Sequence, residues 1–240
     1  MKEVKSNLLS MKLSGMATCY QTLEETRKLD QLTFHDGLQL LIQAEKDQRE
    51  SNRYTRLVKQ ANFRYVATLD QMTTGKARGL DLSAVTALSI GTYIKHGEAI
   101  IVTGCAGVGK SFLATAFGFQ ACRQGYSVSY YNTKKLLANL KVARLDGSLM
   151  KRLEKLAKVD ILILDDFGLA PFDAQQQNDL MEIIEDRHAR RSTIISSQLP
   201  VSAWFELFSN ASVADAILDR IVHTSHRFEL KGESLRKRNI

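Results

Sequence analysis

Two prolines and three cysteines are few for 240 residues, and each shortage excludes something. With so little proline, long helices and uninterrupted strands are expected rather than a loop-rich sandwich. Cys19, Cys105 and Cys122 lie far apart, form no CxxC pair and have no histidine at ligand spacing, which argues against a disulfide frame or a zinc site. They read as ordinary thiols of a reducing compartment. No apolar run approaches the ~20 residues a membrane span needs. The opening MKEVKSNLLSMKLSGM has no apolar signal-peptide core. A soluble, cytoplasmic chain without membrane contact is expected.

At 44% hydrophobic residues, the chain can bury a core without staples. Lysine and arginine total 33 against 26 acids, a net charge of +7 that points weakly to a polyanionic partner. The pattern changes along the chain. Residues 1–66 read as helical throughout, a small domain suited to DNA or partner binding. Thr33 is placed to cap a helix with Asp36 in its first turn and Phe34, Leu38, Leu41 and Ile42 on one face. Thr73, Thr74, Gly75 and Gly79 then mark a linker over 67–96. From 97 to 240 short apolar runs alternate with helical periodicity: strands at 99–103, 127–131, 161–164, 193–197 and 227–230, with helices between them. That order predicts an α/β fold with a parallel sheet.

The residues at 104–111, Gly104-Cys105-Ala106-Gly107-Val108-Gly109-Lys110-Ser111, match G-x-x-x-x-G-K-[ST] in full, after a strand and before a helix. Glycines let the backbone turn tightly and aim its N–H groups at phosphate oxygens, and the helix start adds dipole charge. These residues, with Phe112 next to them, form the candidate ATP cradle. Lys110 is assigned to the β- and γ-phosphates, and Ser111 to Mg2+. The apolar strand at 161–164 ends in Asp165 and Asp166. Asp165 suits the Mg2+ side, and Asp166 points elsewhere, toward an attacking water. The strand at 193–197 ends in polar Ser197 and Gln198, and either one suits contact with the γ-phosphate or water. Arg220 and Arg236 are either phosphate sensors or surface arginines; spacing does not separate the two.

Eight of the basic residues fall between positions 132 and 158 against two acids, a local charge of +6. Lys134, Lys135, Lys141, Arg144, Lys151 and Arg152 are the expected contacts to phosphate backbone. Arg49, Arg53 and Arg56 add a second stripe, diluted by neighbouring acids.

Taken together, FRYVATLDQ, RGLDL, GCAGVGKSFLA, ILILDDFG, TIISSQLP, DRIVH and HRFELKGESLRKR resemble the IstB-like helper ATPases of insertion-sequence transposition, cousins of the DnaC helicase loaders and of DnaA. The resemblance spans nearly the whole chain. It implies an AAA+ fold with strand order 5-1-4-3-2, in which the strand bearing Ser197 lies between the two Walker strands. It places Arg220 as an arginine finger acting on a neighbouring subunit and Arg236 as a second sensor acting in its own. The chain ends about ten residues after the last expected strand, which leaves no room for a helical lid, and this family carries none. Relatives of this kind commonly have Glu where Asp166 stands, so slow, DNA-stimulated hydrolysis is expected. The implied function is ATP-dependent assembly as a homo-oligomer on double-stranded DNA, directing a transposase. A DnaC-like helicase loader is the alternative.

Overall fold

The computed structural model describes residues 2–72, 75 and 78–235. The chain divides into two compact units, Met1–Arg56 and Leu57–Ile240.

The first unit holds α1 (Lys2–Ser10), α2 (Ser14–Glu25) and most of α3 (Phe34–Ala61). Thr33 caps α3 as its sequence predicts: its Oγ1 accepts the Asp36 N–H at 3.2 Å and donates to the Asp36 carboxylate at 2.6 Å. Leu13, at the start of α2, has no side chain able to cap. A carboxylate from α3 does it instead, since Glu45 accepts the N–H groups of Gly15 (2.8 Å) and Met16 (3.3 Å). Gly15 permits the approach, because a Cβ there would sit 2.5 Å from the Ala44 carbonyl oxygen. Phe34, Leu38, Leu40 and Ile42 stay exposed on α3.

The second unit is built on five parallel strands: β1 (Ala99–Gly104), β2 (Val128–Asn132), β3 (Ile161–Phe167), β4 (Ser192–Ser197) and β5 (Ser225–Leu230). Their order, β2-β3-β4-β1-β5, is the expected one. The three central strands, β1, β3 and β4, are covered on both faces, which is why they read as continuous apolar runs rather than alternating ones. Ile101, Leu162, Leu164 and Ile195 join the core made with α7 (Thr133–Leu145), α8 (Leu149–Lys158), α9 (Ala174–Arg187) and α10 (Ala211–Val222). Ile163, of opposite parity, meets α6 (Lys110–Arg123) on the other face. Asp146 and Gly147 separate α7 from α8.

Two boundary expectations need correction. The division between units falls at Arg56/Leu57, inside α3, rather than after residue 66. The stretch 67–96, expected as a linker, carries α4 (Leu82–Ser89) and α5 (Thr92–His96). Helical periodicity shows that a helix continues, but not which body its last turns pack on. Leu57 and Ala61 are buried with the second unit. Among the described residues, no helix is long and apolar enough to cross a membrane.

Candidate nucleotide site

β1 runs straight into the glycine loop. Gly104, Gly107 and Gly109 take φ of 142°, 82° and 106°, all in the region that a side chain disfavours. At Gly107 a Cβ would also lie 2.1 Å from the Ser234 hydroxyl, because the chain leaving β5 passes back over the loop and Leu235 N–H donates to the Gly107 carbonyl at 2.9 Å. α6 starts at Lys110 with Gly109 as its cap and no side-chain cap bond, so side chains leave its first N–H groups to an anion. Lys110 is buried, and its Nζ donates to the Cys105 carbonyl at 2.7 Å. Cys105 and Ala106 are exposed on the loop crest.

Asp165, 1% exposed, is the centre of a hydroxyl cluster. Ser111 Oγ donates to its Oδ1 at 2.8 Å, Ser196 also donates to Oδ1, and the Tyr130 hydroxyl donates to Oδ2. Thr133 Oγ1 donates to its main-chain oxygen at 2.9 Å. Burial first, then the bond to Asp165, pushes the Tyr130 phenol far above its ordinary range, so it remains a donor. Ser111 and Asp165 thus bring two hard oxygen ligands together at the start of the phosphate-binding helix, a donor set that fits Mg2+.

Between Leu164 and Phe167 the β3–β4 register shifts, and Asp166 sits in the irregularity with φ of 56°. A non-glycine residue held there stores strain, a common device for re-aiming a functional side chain. The Asp166 N–H donates to Ser196 Oγ at 3.3 Å, and Asn132 Nδ2, at the end of β2, donates to its carboxylate at 2.9 Å. Burial and the charge of Asp165 push the Asp166 carboxyl above the usual range.

The structure therefore brings together 104–112, Asp165 and Asp166. It separates Ser197 from them. Successive strand residues point to opposite sides, so Ser196 meets Asp165 while Ser197 Oγ donates to the Phe167 carbonyl (2.8 Å) and accepts from Leu199 N–H (3.1 Å). Gln198 is exposed. β4 does lie between β1 and β3, as expected, but the inward hydroxyl is one residue earlier.

Arg220 lies near the C-terminus of α10, which leads to the start of β5 beside Ala99, the end of the sheet opposite the glycine loop. It pairs with Glu185 at 2.6 Å and donates to the Ala216 carbonyl at 2.9 Å. It cannot serve its own glycine loop. Arg236 lies outside the described residues.

Tyr130, Asn132 and Ser196 were missed in the sequence, and only alternation along β2 and β4 carried a signal for them. Beside the loop, Gln71, Met72, Arg78, Leu80, Phe112 and Leu235 line a pocket, and Arg78 donates to the Val108 carbonyl at 3.3 Å. Apart from Phe112, these residues come from the presumed linker and from the tail, where no local motif marks them.

The basic residues of α7 and α8 are exposed. Arg144 is anchored to the buried Asp179 at 2.6 Å, which gives it a packing role that the charge count did not show. On α3, Arg49 pairs with Glu45 at 2.7 Å, and Arg49, Arg53 and Arg56 are all exposed.

Comparison with known proteins agrees with this geometry. The chain is 43% identical over 230 residues to the Sinorhizobium fredii protein y4pL, named as an insertion sequence ATP-binding protein, covering 96% of this chain and 94% of that one. A Mycobacterium tuberculosis protein, named as an ATP-binding protein in an insertion sequence, is 34% identical over 240 residues, covering 98% and 94%. Among solved structures, the DnaC helicase loader superposes with a TM-score of 0.57 at 22% identity, covering 69% of this chain and 97% of that one. DnaA bound to AMPPCP and single-stranded DNA gives 0.60 at 19%, covering 72% and 52%. These two likenesses speak to the fold, which is that of the AAA+ P-loop ATPases. The profile of the IstB-like ATP binding proteins matches residues 6–240, and the chain belongs to that family.

Proposed function

We propose that this chain is an ATP-hydrolysing helper of insertion-sequence transposition that assembles on double-stranded DNA and directs a transposase to its target. The observation that carries the ATP reading is the joining of Ser111 to Asp165 at the foot of an uncapped phosphate-binding helix. Lys110 binds the β- and γ-phosphates, and the pocket beside Phe112 and Leu235 takes the base. Ser111 and Asp165 hold Mg2+, which supplies positive charge against the phosphate oxygens. Asp166, restrained by Asn132, orients the attacking water. Its side chain is one methylene shorter than Glu, which suits slow turnover. Ser196 is the polar contact on the central strand.

Arg220 points to assembly. A guanidinium at the far end of the sheet completes a site only by reaching a second copy, where it stabilises charge developing on the phosphoryl group. ATP at subunit interfaces then links nucleotide state to oligomer formation. Arg236 acts within its own subunit. Lys134, Lys135, Lys141, Lys151 and Arg152 supply the phosphate-backbone contacts, with Arg53 and Arg56 as a second set. The relatives named for insertion sequences support the transposition setting.

The test mixes Lys110→Ala with Arg220→Ala protein and measures phosphate release with and without duplex DNA. Each variant alone is expected to be inactive, and the mixture to recover activity because one interface in the mixed assembly is intact. No recovery, with turnover independent of protein concentration, rules out the shared site. Capture of replicative helicase rather than transposase by the wild-type protein would turn the reading to a helicase loader.

A further inference from the structure

α6 contains a glycine where nothing in its own helix needs one. Glycine in a helix interior costs about 1 kcal/mol against alanine. The reason for Gly118 is its neighbour: a Cβ there would stand 2.7 Å from the ring of Phe63 and 2.9 Å from Ile163. The missing side chain is a notch, and Phe63 fills it. From the notch, Phe63 stacks on Phe119 at 4.4 Å between centroids and meets the Tyr130 ring edge-on at 6.5 Å. Two residues on, Tyr65 stacks over Phe112, the neighbour of Ser111 in the first turn of α6, at 6.1 Å between centroids.

Both contacts end on the metal side of the nucleotide site. Tyr130 holds one oxygen of Asp165, and Ser111 donates to the other. Tyr65 is 37% exposed, so its position is not explained as core filling. The segment follows α3 directly and precedes the glycine loop by forty residues, outside every phosphate-binding motif in the sequence.

We propose that Phe63-Arg64-Tyr65 is a working part of the ATP site, in which Tyr65, stacked on Phe112, steadies the first turn of α6 that carries Ser111, and Phe63, seated in the Gly118 notch, backs Tyr130 against Asp165. Docking of this segment and loading of magnesium nucleotide are therefore linked, and by reciprocity each strengthens the other. The inference rests on the ATP reading above and adds positioning residues to it.

The experiment uses the full chain. A fluorescent ATP analogue is titrated at several magnesium concentrations, and amide hydrogen exchange across 57–67 is followed with and without a non-hydrolysable analogue. Tyr65→Leu removes the stacked ring. The magnesium needed for half-maximal nucleotide binding is expected to rise about three- to tenfold, the range of one aromatic pair. Metal-free nucleotide binding should stay unchanged. Gly118→Ala, which expels Phe63 and touches no phosphate-binding residue, should raise the magnesium demand in the same way and abolish the nucleotide-dependent slowing of exchange at 63–66. Should Gly118→Ala fail to fold, Tyr65→Leu decides alone. An unchanged magnesium titration in Tyr65→Leu overturns the proposal. If the wild type bound no nucleotide, the ATP reading itself would fail, a result distinct from a wild type that binds normally and ignores Tyr65.

Discussion

Lys110 and Arg187 are both buried cations of the same unit, yet Lys110 donates to a loop carbonyl and Arg187 to carbonyls fixed in the sheet and its neighbouring turns. Arg187, near the amino ends of the strands, is enclosed by main chain: it donates to the carbonyls of Leu156 (2.5 Å), Val159 (2.9 Å), Asp160 (3.4 Å) and Ser192, and to Thr193 Oγ1 at 3.1 Å. Burial pulls its pKa down to about 9, but guanidinium is too strong a base to lose its proton at neutral pH. Those carbonyls cannot leave without unfolding. At the carboxyl ends, Lys110, Ser111, Asp165 and Ser196 are joined to one another or to a loop carbonyl. Phosphate and metal can replace such partners one for one. The first arrangement staples β3, β4 and α9 together, while the second holds a place for a ligand.

The comparison makes its largest claim on Lys110→Ala. Removing this positive donor is expected to cut phosphate release by about 10²–10³-fold while changing unfolding free energy by less than about 1 kcal/mol. Steady-state turnover and thermal unfolding measured on the same preparation check both halves. Arg187→Met should do the converse. Several carbonyls lose their donor inside the fold, so a loss of about 3–5 kcal/mol is expected, read from denaturant midpoints, with nucleotide affinity retained wherever the protein is still folded. If Arg187→Met left stability intact, the division into staple and ligand holder would be wrong.

Ser196 and Ser197 sharpen the same contrast on a single strand. Ser196→Ala should lower turnover about tenfold at little cost in stability. Ser197→Ala, which strips a bond from the Phe167 carbonyl, should cost about 1 kcal/mol of stability and leave turnover near wild type. Equal kinetic losses would break the parity argument. The smallest effect separates two thiols. Burial pushes Cys122 up to about 12, so it remains protonated and unreactive from pH 7 to 9, below that value. Cys105 is exposed on the glycine loop. Alkylation followed by mass spectrometry should mark Cys105 and spare Cys122, and ATP should protect Cys105.

The glycine loop and Asp165 were legible because each depends on residues close in sequence or on a motif whose spacing is its geometry, and the strand order came with the family resemblance. Ser197, offered with Gln198, turns away from Asp165 because alternation along β4 aims Ser196 at it, and a strand buried on both faces shows no apolar–polar parity to reveal which side faces the site. Tyr130 and Asn132 lie on a strand whose paired residues are 33 positions away. Arg144 looked like one more free charge until Asp179 of another helix met it.

By itself, then, the sequence determined the parallel sheet, the phosphate loop and the carboxylate that faces it, since turn chemistry and apolar periodicity are properties of neighbouring residues. Only the tertiary structure decided which hydroxyls hold Asp165, that Arg220 stands at the far end from its own loop, and that Phe63 and Tyr65 close on α6. Those are meetings between distant segments, chosen by how faces pack and where a missing Cβ leaves room.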